Sequence, residues 1–134
     1  MKRNFAAAVF TLLPLLVLDG LWLSTMLKRF YAPRMGHLLA ASPSLPAAGA
    51  FYLLYAVGLA VLVVSPAVQS GASASKTLTT GALFGLICYA TYDLTNQATL
   101  RDWPLSLTVV DMAWGATLTG AASVVAVALT RRFG

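Results

Sequence analysis

The chain has 134 residues, 59% of them hydrophobic and 10% charged, with a net charge of +5 and a mean hydropathy of +0.79. That balance lies outside the range of soluble domains and predicts an all-α integral membrane protein, one domain long enough for about four spans at roughly 20 apolar residues each. The nine Lys and Arg residues sit at segment ends and in short connections, which suits anchoring at lipid headgroups and excludes a nucleic-acid surface.

The first predicted span runs from Phe5 to Leu27. Its opening, MKRNFAAAVFTLLPLLVL, has the charged start and apolar core of a secretory signal. Asp19 and Trp22 follow without a small-x-small cleavage pattern, however, and the apolar pattern resumes to Leu27, so a retained span is expected, with Pro14 as a kink point. The connection over residues 28–46 interleaves Lys28, Arg29, Tyr31, Arg34 and His37 with apolar residues and is broken by Pro33, Pro43 and Pro46. It reads as an interfacial segment over the mouth of the bundle.

The second span is expected from Ala47 to Val68, the third from Leu78 to Leu100 and the fourth from Leu105 to Thr130. Between the last two only Arg101, Asp102, Trp103 and Pro104 intervene, so those helices must be antiparallel neighbours, with Pro104 suited to a first helical turn. Gly81-x-x-x-Gly85 is expected to let two helices approach closely, Cys88 to serve packing, and Tyr31 and Trp103 to sit in an interfacial aromatic belt. With both termini on one face, Lys2, Arg3, Lys76, Arg131 and Arg132 stand against Lys28, Arg29, Arg34 and Arg101 on the other, a weak lean to cytoplasmic termini.

Three of the four acidic residues, Asp19, Asp93 and Asp111, fall within spans. An aspartate at a helix centre costs roughly 2.5–3.5 kcal/mol on insertion scales, so these three are expected to face inward or toward water. The helical rise puts all three in the half of the membrane away from the termini. Tyr89, Tyr92, Asp93 and Asn96 recur at i, i+3, i+4 and i+7, one stripe of the third helix; Asp19 shares a face with Trp22, and Asp111 with Trp114 and Gly115. Tyr52 and Tyr55 lie near the same end of the second helix. Together they predict a polar chamber whose ionisable groups, the candidate catalytic residues, are Asp93, Asp19 and Asp111. Asn96 and Tyr92 would orient them, and Tyr89, Trp22, Trp114, Tyr52 and Tyr55 would line the walls as binding residues. Asp-x-x-Trp occurs at 19 and 111 and Tyr-x-x-Tyr at 52 and 89, a faint echo between the outer helices and between the inner ones. No dense carboxylate or histidine spacing marks a metal site, no cofactor motif is present, and Ser24 has no His and Asp constellation.

Asp19-x-x-Trp22, Tyr92-Asp93-Leu94-Thr95-Asn96, Ala98-Thr99-Leu100 and Asp111-x-x-Trp114-Gly115 together resemble a bacterial family of small predicted membrane proteins, domain of unknown function 2177. The likeness covers nearly the whole chain and is most specific at YDLTN-x-ATL. It implies four spans in a bacterial inner membrane and brings no activity, substrate or catalytic residue.

Three functional expectations follow. The leading one is that the chamber binds or modifies a lipid or another hydrophobic molecule, a carboxylate acting as general acid or base if chemistry follows. The second is a small proton-coupled carrier acting as a homodimer, and the third a non-catalytic subunit of a larger membrane complex.

Overall fold

The computed structural model describes residues 2–134, and every regular element among them is helical. Helix α1 (Lys2–Met26) passes through a π-turn (Leu27–Tyr31) into α2 (Ala32–Met35) and a 3-10 turn (Gly36–Leu38). Helix α3 (Leu45–Leu59) likewise continues through a π-turn (Ala60–Val64) into α4 (Ser65–Ser70), and α5 (Ala74–Thr99) and α6 (Leu105–Phe133) complete the chain. The result is four long helical rods. Three of them, Lys2–Leu38, Leu45–Ser70 and Leu105–Phe133, are long and apolar enough to cross a membrane. Helix α5 has 26 residues, as many as Leu45–Ser70, but is less apolar.

The rod ends follow from local chemistry. Ser44 and Ser73 cap α3 and α5, their hydroxyls accepting from the backbone N–H of Ala47 and Lys76. Gly71, at φ 66°, closes α4 in the left-handed conformation that glycine adopts without strain. Asp102, at φ 60°, turns the chain between α5 and α6, a conformation that a short polar side chain tolerates. Pro14 lies inside α1 without ending it, and Pro104 occupies the cap position just before α6. The connection expected to lie along the interface is helical over residues 28–38, which leaves only 39–44 irregular.

The packing departs from that of a soluble bundle on its surface, while an apolar core that includes Leu15, Leu59, Val64 and Leu118 is buried together with polar side chains. Thr11, Asp19, Ser65, Thr77, Asp93, Thr108, Thr119, Ser123 and Thr130 are buried, whereas Leu54, Leu62, Val17 and Ile87 are exposed, Leu54 by 76%. An exterior of large apolar side chains, with hydroxyl and carboxyl groups kept inside among apolar ones, matches a hydrocarbon surrounding. Helix α5 obeys the same rule: Leu83, Ile87 and Leu94 point outward, and its outer threonines Thr79, Thr91 and Thr99 bond back to the carbonyls four residues earlier.

Helices α5 and α6 pack most closely. A Cβ on Gly81 would overlap Ser123, one on Gly85 would overlap Thr119 and the Gly115 carbonyl, and one on Gly115 would overlap the Tyr89 ring. Opposed positions 81/123, 85/119 and 89/115 step four residues along both helices in opposite directions. The close approach expected at Gly81 and Gly85 is therefore made, and its partner is α6. At the end bearing the termini, the Arg131 guanidinium donates to the Ala67 and Ala72 carbonyls (3.0 and 2.9 Å) and so closes the α4 end.

Candidate functional site

The 81/123 ladder has a further rung: four residues on, Asp93 stands opposite Asp111. Both line a cavity of about 250 Å3 at the end of the bundle away from the termini, and Asp19 lines it as well. The three carboxyl groups have different surroundings. Asp19, on α1, is 7% exposed and fully partnered: Trp114 Nε1 donates to its Oδ1 (3.0 Å) and the Tyr52 hydroxyl donates to its Oδ2. Asp111, on α6, is half-buried and accepts on Oδ1 from the Tyr31 hydroxyl (2.6 Å). Asp93 is 0% exposed, and neither of its carboxyl oxygens has a hydrogen-bond partner among the described residues.

The indoles of Trp22 and Trp114 stack at 4.3 Å with their planes 5° apart, between α1 and α6. Trp114 donates across to Asp19, while Trp22 Nε1 donates to the Tyr31 hydroxyl (3.0 Å), which in turn donates to Asp111. Each Asp-x-x-Trp motif thus supports the aspartate of the other, directly in one direction and through Tyr31 in the other. The faint sequence echo is a physical crossing of two antiparallel helices.

Tyr31 reaches this place because of the π-turn. Helical spacing from Asp19 runs through Trp22 and Met26 to Phe30, and one inserted residue advances the inward position to Tyr31. Tyr31, at 8% exposure, is therefore a buried bridging residue and not part of an interfacial belt. Trp103 departs from that expectation too. Its ring is 7% exposed, and Nε1 donates to Thr108 Oγ1 (3.0 Å); the Thr108 hydroxyl donates to Gln97 Oε1 (2.8 Å), and Gln97 Nε2 donates to the Trp103 carbonyl (2.9 Å). This closed loop of hydrogen bonds holds the α5–α6 turn under the cavity.

The other expected residues are distributed around this centre. Tyr89 and Tyr92 line the cavity, Tyr92 half exposed with its ring edge-on to Trp103. Tyr55 stands one layer away, its hydroxyl hydrogen-bonded with Thr119 (2.7 Å). Tyr52 contributes its bond to Asp19 rather than a wall. Asn96 is half-buried beside the cavity without lining it, and the residue that ties α5 to α6 is its neighbour Gln97. The signal for Gln97 was present, since it lies one helical turn beyond Asp93 on the same stripe.

A second, larger space of about 590 Å3 adjoins the first, between α3 and α5. Phe51, Tyr55, Cys88 and Thr91 line it, and it shares Tyr89, Tyr92 and Asp111 with the first. The first holds the three carboxyl groups and the three indoles together with aliphatic side chains such as Leu23, Met35 and Leu107, the second is walled mainly by aromatic and small side chains, and the shared residues form their border.

An all-helical bundle with an aliphatic exterior and carboxyl groups inside is an integral membrane protein. This one belongs to the family of predicted membrane proteins DUF2177, whose model matches residues 4–128. No curated protein and no solved structure matches the chain.

Proposed function

We propose that the cavity receives the polar end of a lipid or another hydrophobic molecule, whose apolar part lies in the α3–α5 groove. The observation that carries this reading is the shared border: Tyr89, Tyr92 and Asp111 belong at once to the cavity that holds the three carboxyl groups and to the apolar groove. A molecule with one polar and one apolar end fits such a pair of spaces, because each end is solvated by matching groups. Asp93, Asp111 and Asp19 are the ionisable groups of the site. Trp22, Trp114 and Tyr31 position them, and Tyr55 and Tyr89 wall the groove.

The reading includes the fourth rod. Helix α5 is long enough to cross, presents leucines and isoleucine outward, and packs along an apolar span, so we take it to be a span whose polar residues face α6. The membrane is taken to be a bacterial inner membrane, as the family resemblance implies.

Native mass spectrometry of the protein released from lipid nanodiscs, wild type beside Asp93→Asn, tests the proposal. A defined bound lipid that is lost in the variant is the expected result. A bare mass in both would overturn it, and a dimer or an additional protein subunit in that spectrum would favour a carrier or a complex component instead.

A further inference from the structure

The reading above leaves the chemistry of the polar end open, and three observations narrow it. Among the described residues, no lysine, arginine or histidine lines either space, so the carboxyl groups have no internal cation. Arg34, at the same end of the bundle, is held elsewhere, donating to Ser106 Oγ (2.9 Å) and the Phe30 carbonyl (3.1 Å) and lying over the Phe30 ring. The hydrogen-bonding capacity of the three acids is also unequal. Asp19 is occupied on both oxygens and Asp111 accepts on one, whereas Asp93, fully buried at the cavity wall, accepts on neither.

A buried carboxyl group that carries its charge needs both a counter-charge and hydrogen-bond donors. A carboxylate or phosphate head would bring a like charge and acceptors only, and an alcohol would bring a single donor and no charge. A primary ammonium brings one positive charge and three donors on a single atom, which matches the two buried, unpartnered oxygens of Asp93 and the remaining one on Asp111. Among the described residues no three His, Cys, Asp or Glu side chains converge as metal ligands, so a metal ion would find at most two carboxyl groups here.

We propose that the site recognises long-chain primary amines, the ammonium seated between Asp93 and Asp111 and the alkyl chain in the groove beside Tyr55, Cys88 and Tyr89. The proposal rests on the preceding reading of cavity and groove as one site and adds the class of its ligand. Selectivity comes from Asp93, because it is the acid at the cavity wall with neither oxygen partnered among the described residues.

The test uses the full chain in phosphatidylcholine nanodiscs at neutral pH, with empty nanodiscs as the partition blank. Dodecylamine, dodecan-1-ol, dodecanoate and dodecyltrimethylammonium are titrated in turn, binding being read from the fluorescence of the tryptophans that line the cavity. Dodecylamine is expected to bind at least about tenfold more tightly than the other three, the difference expected of charge-assisted hydrogen bonds. In Asp93→Asn that preference should collapse while dodecan-1-ol binding is kept, which shows the variant to be folded with its groove intact. Equal or tighter binding of the alcohol or the carboxylate would overturn the amine proposal and leave the cavity-and-groove reading standing. Equal binding of the trimethylammonium probe, which has no N–H, would overturn the role given to the donors. An amine preference undiminished in Asp93→Asn would overturn the role given to Asp93, and no binding of any probe would overturn both readings.

Discussion

Tyr31 shows how much a single side chain is asked to do. Its hydroxyl accepts from Trp22 and donates to Asp111, so it links two helices and fixes the direction of one carboxyl oxygen. Replacing it with phenylalanine removes both bonds while keeping the ring, and the expected cost is about 1–3 kcal/mol, because one partner is an acid. Thermal unfolding of the purified protein measures it. In a double-mutant cycle Tyr31→Phe and Asp111→Ala should be non-additive, since each removes the same bond; additive effects would mean that the bond contributes nothing. Periodicity carries no trace of this role, because the π-turn moves the inward position by one residue. The aspartates were legible for the opposite reason. A carboxyl group in an apolar run is costly wherever it lies, so its type alone predicts that it faces inward.

At the scale of the elements, the α5–α6 pair is built on absent side chains. Gly81 and Gly85 press on Ser123 and Thr119, and Gly115 takes the face of Tyr89. Gly85→Leu should force the helices apart and lower stability by about 1–3 kcal/mol or more, the usual range for overpacking. Gly20 offers the comparison, since a Cβ there meets nothing within 4 Å. Gly20→Ala should be neutral or slightly stabilising, alanine being the better helix former. Thermal denaturation of the two variants in one detergent checks both, and a harmless Gly85→Leu would refute the packing described. The same ladder sets Asp93 against Asp111, so a loosened α5–α6 contact should also weaken ligand binding at a site two turns away from Gly85.

For the whole molecule, the arrangement of four rods predicts a topology. If α5 crosses, the turn after α4 and the turn after α5 lie on opposite faces. Single cysteines introduced as Ser75→Cys and Asp102→Cys, each with Cys88→Ala, should react with a membrane-impermeant maleimide from opposite sides of sealed vesicles. Labelling of both from one side would exclude a crossing by α5. The average composition of α5 hides a two-sided helix. Its glycines and Asp93 face α6, and several of its outer threonines satisfy their own hydroxyls, so the average over the helix mixes an apolar outside with a polar inside.

The sequence by itself determined that the protein is helical and belongs in a membrane, and it predicts that the aspartates within its apolar runs turn inward; the first rod runs on to Leu38, past the expected end at Leu27. The membrane class and the inward turn follow from local composition and the energy of transfer into hydrocarbon, which need no knowledge of neighbours. Only the tertiary structure decided which groups meet. The choice of Tyr31 over Phe30 depends on a one-residue change of helical register, the pairing of Trp114 with Asp19 on the packing of α1 against α6, and the unpartnered oxygens of Asp93 on where the donors of the other described residues lie. Those are properties of distance between segments far apart in the chain, and one-dimensional spacing does not contain them.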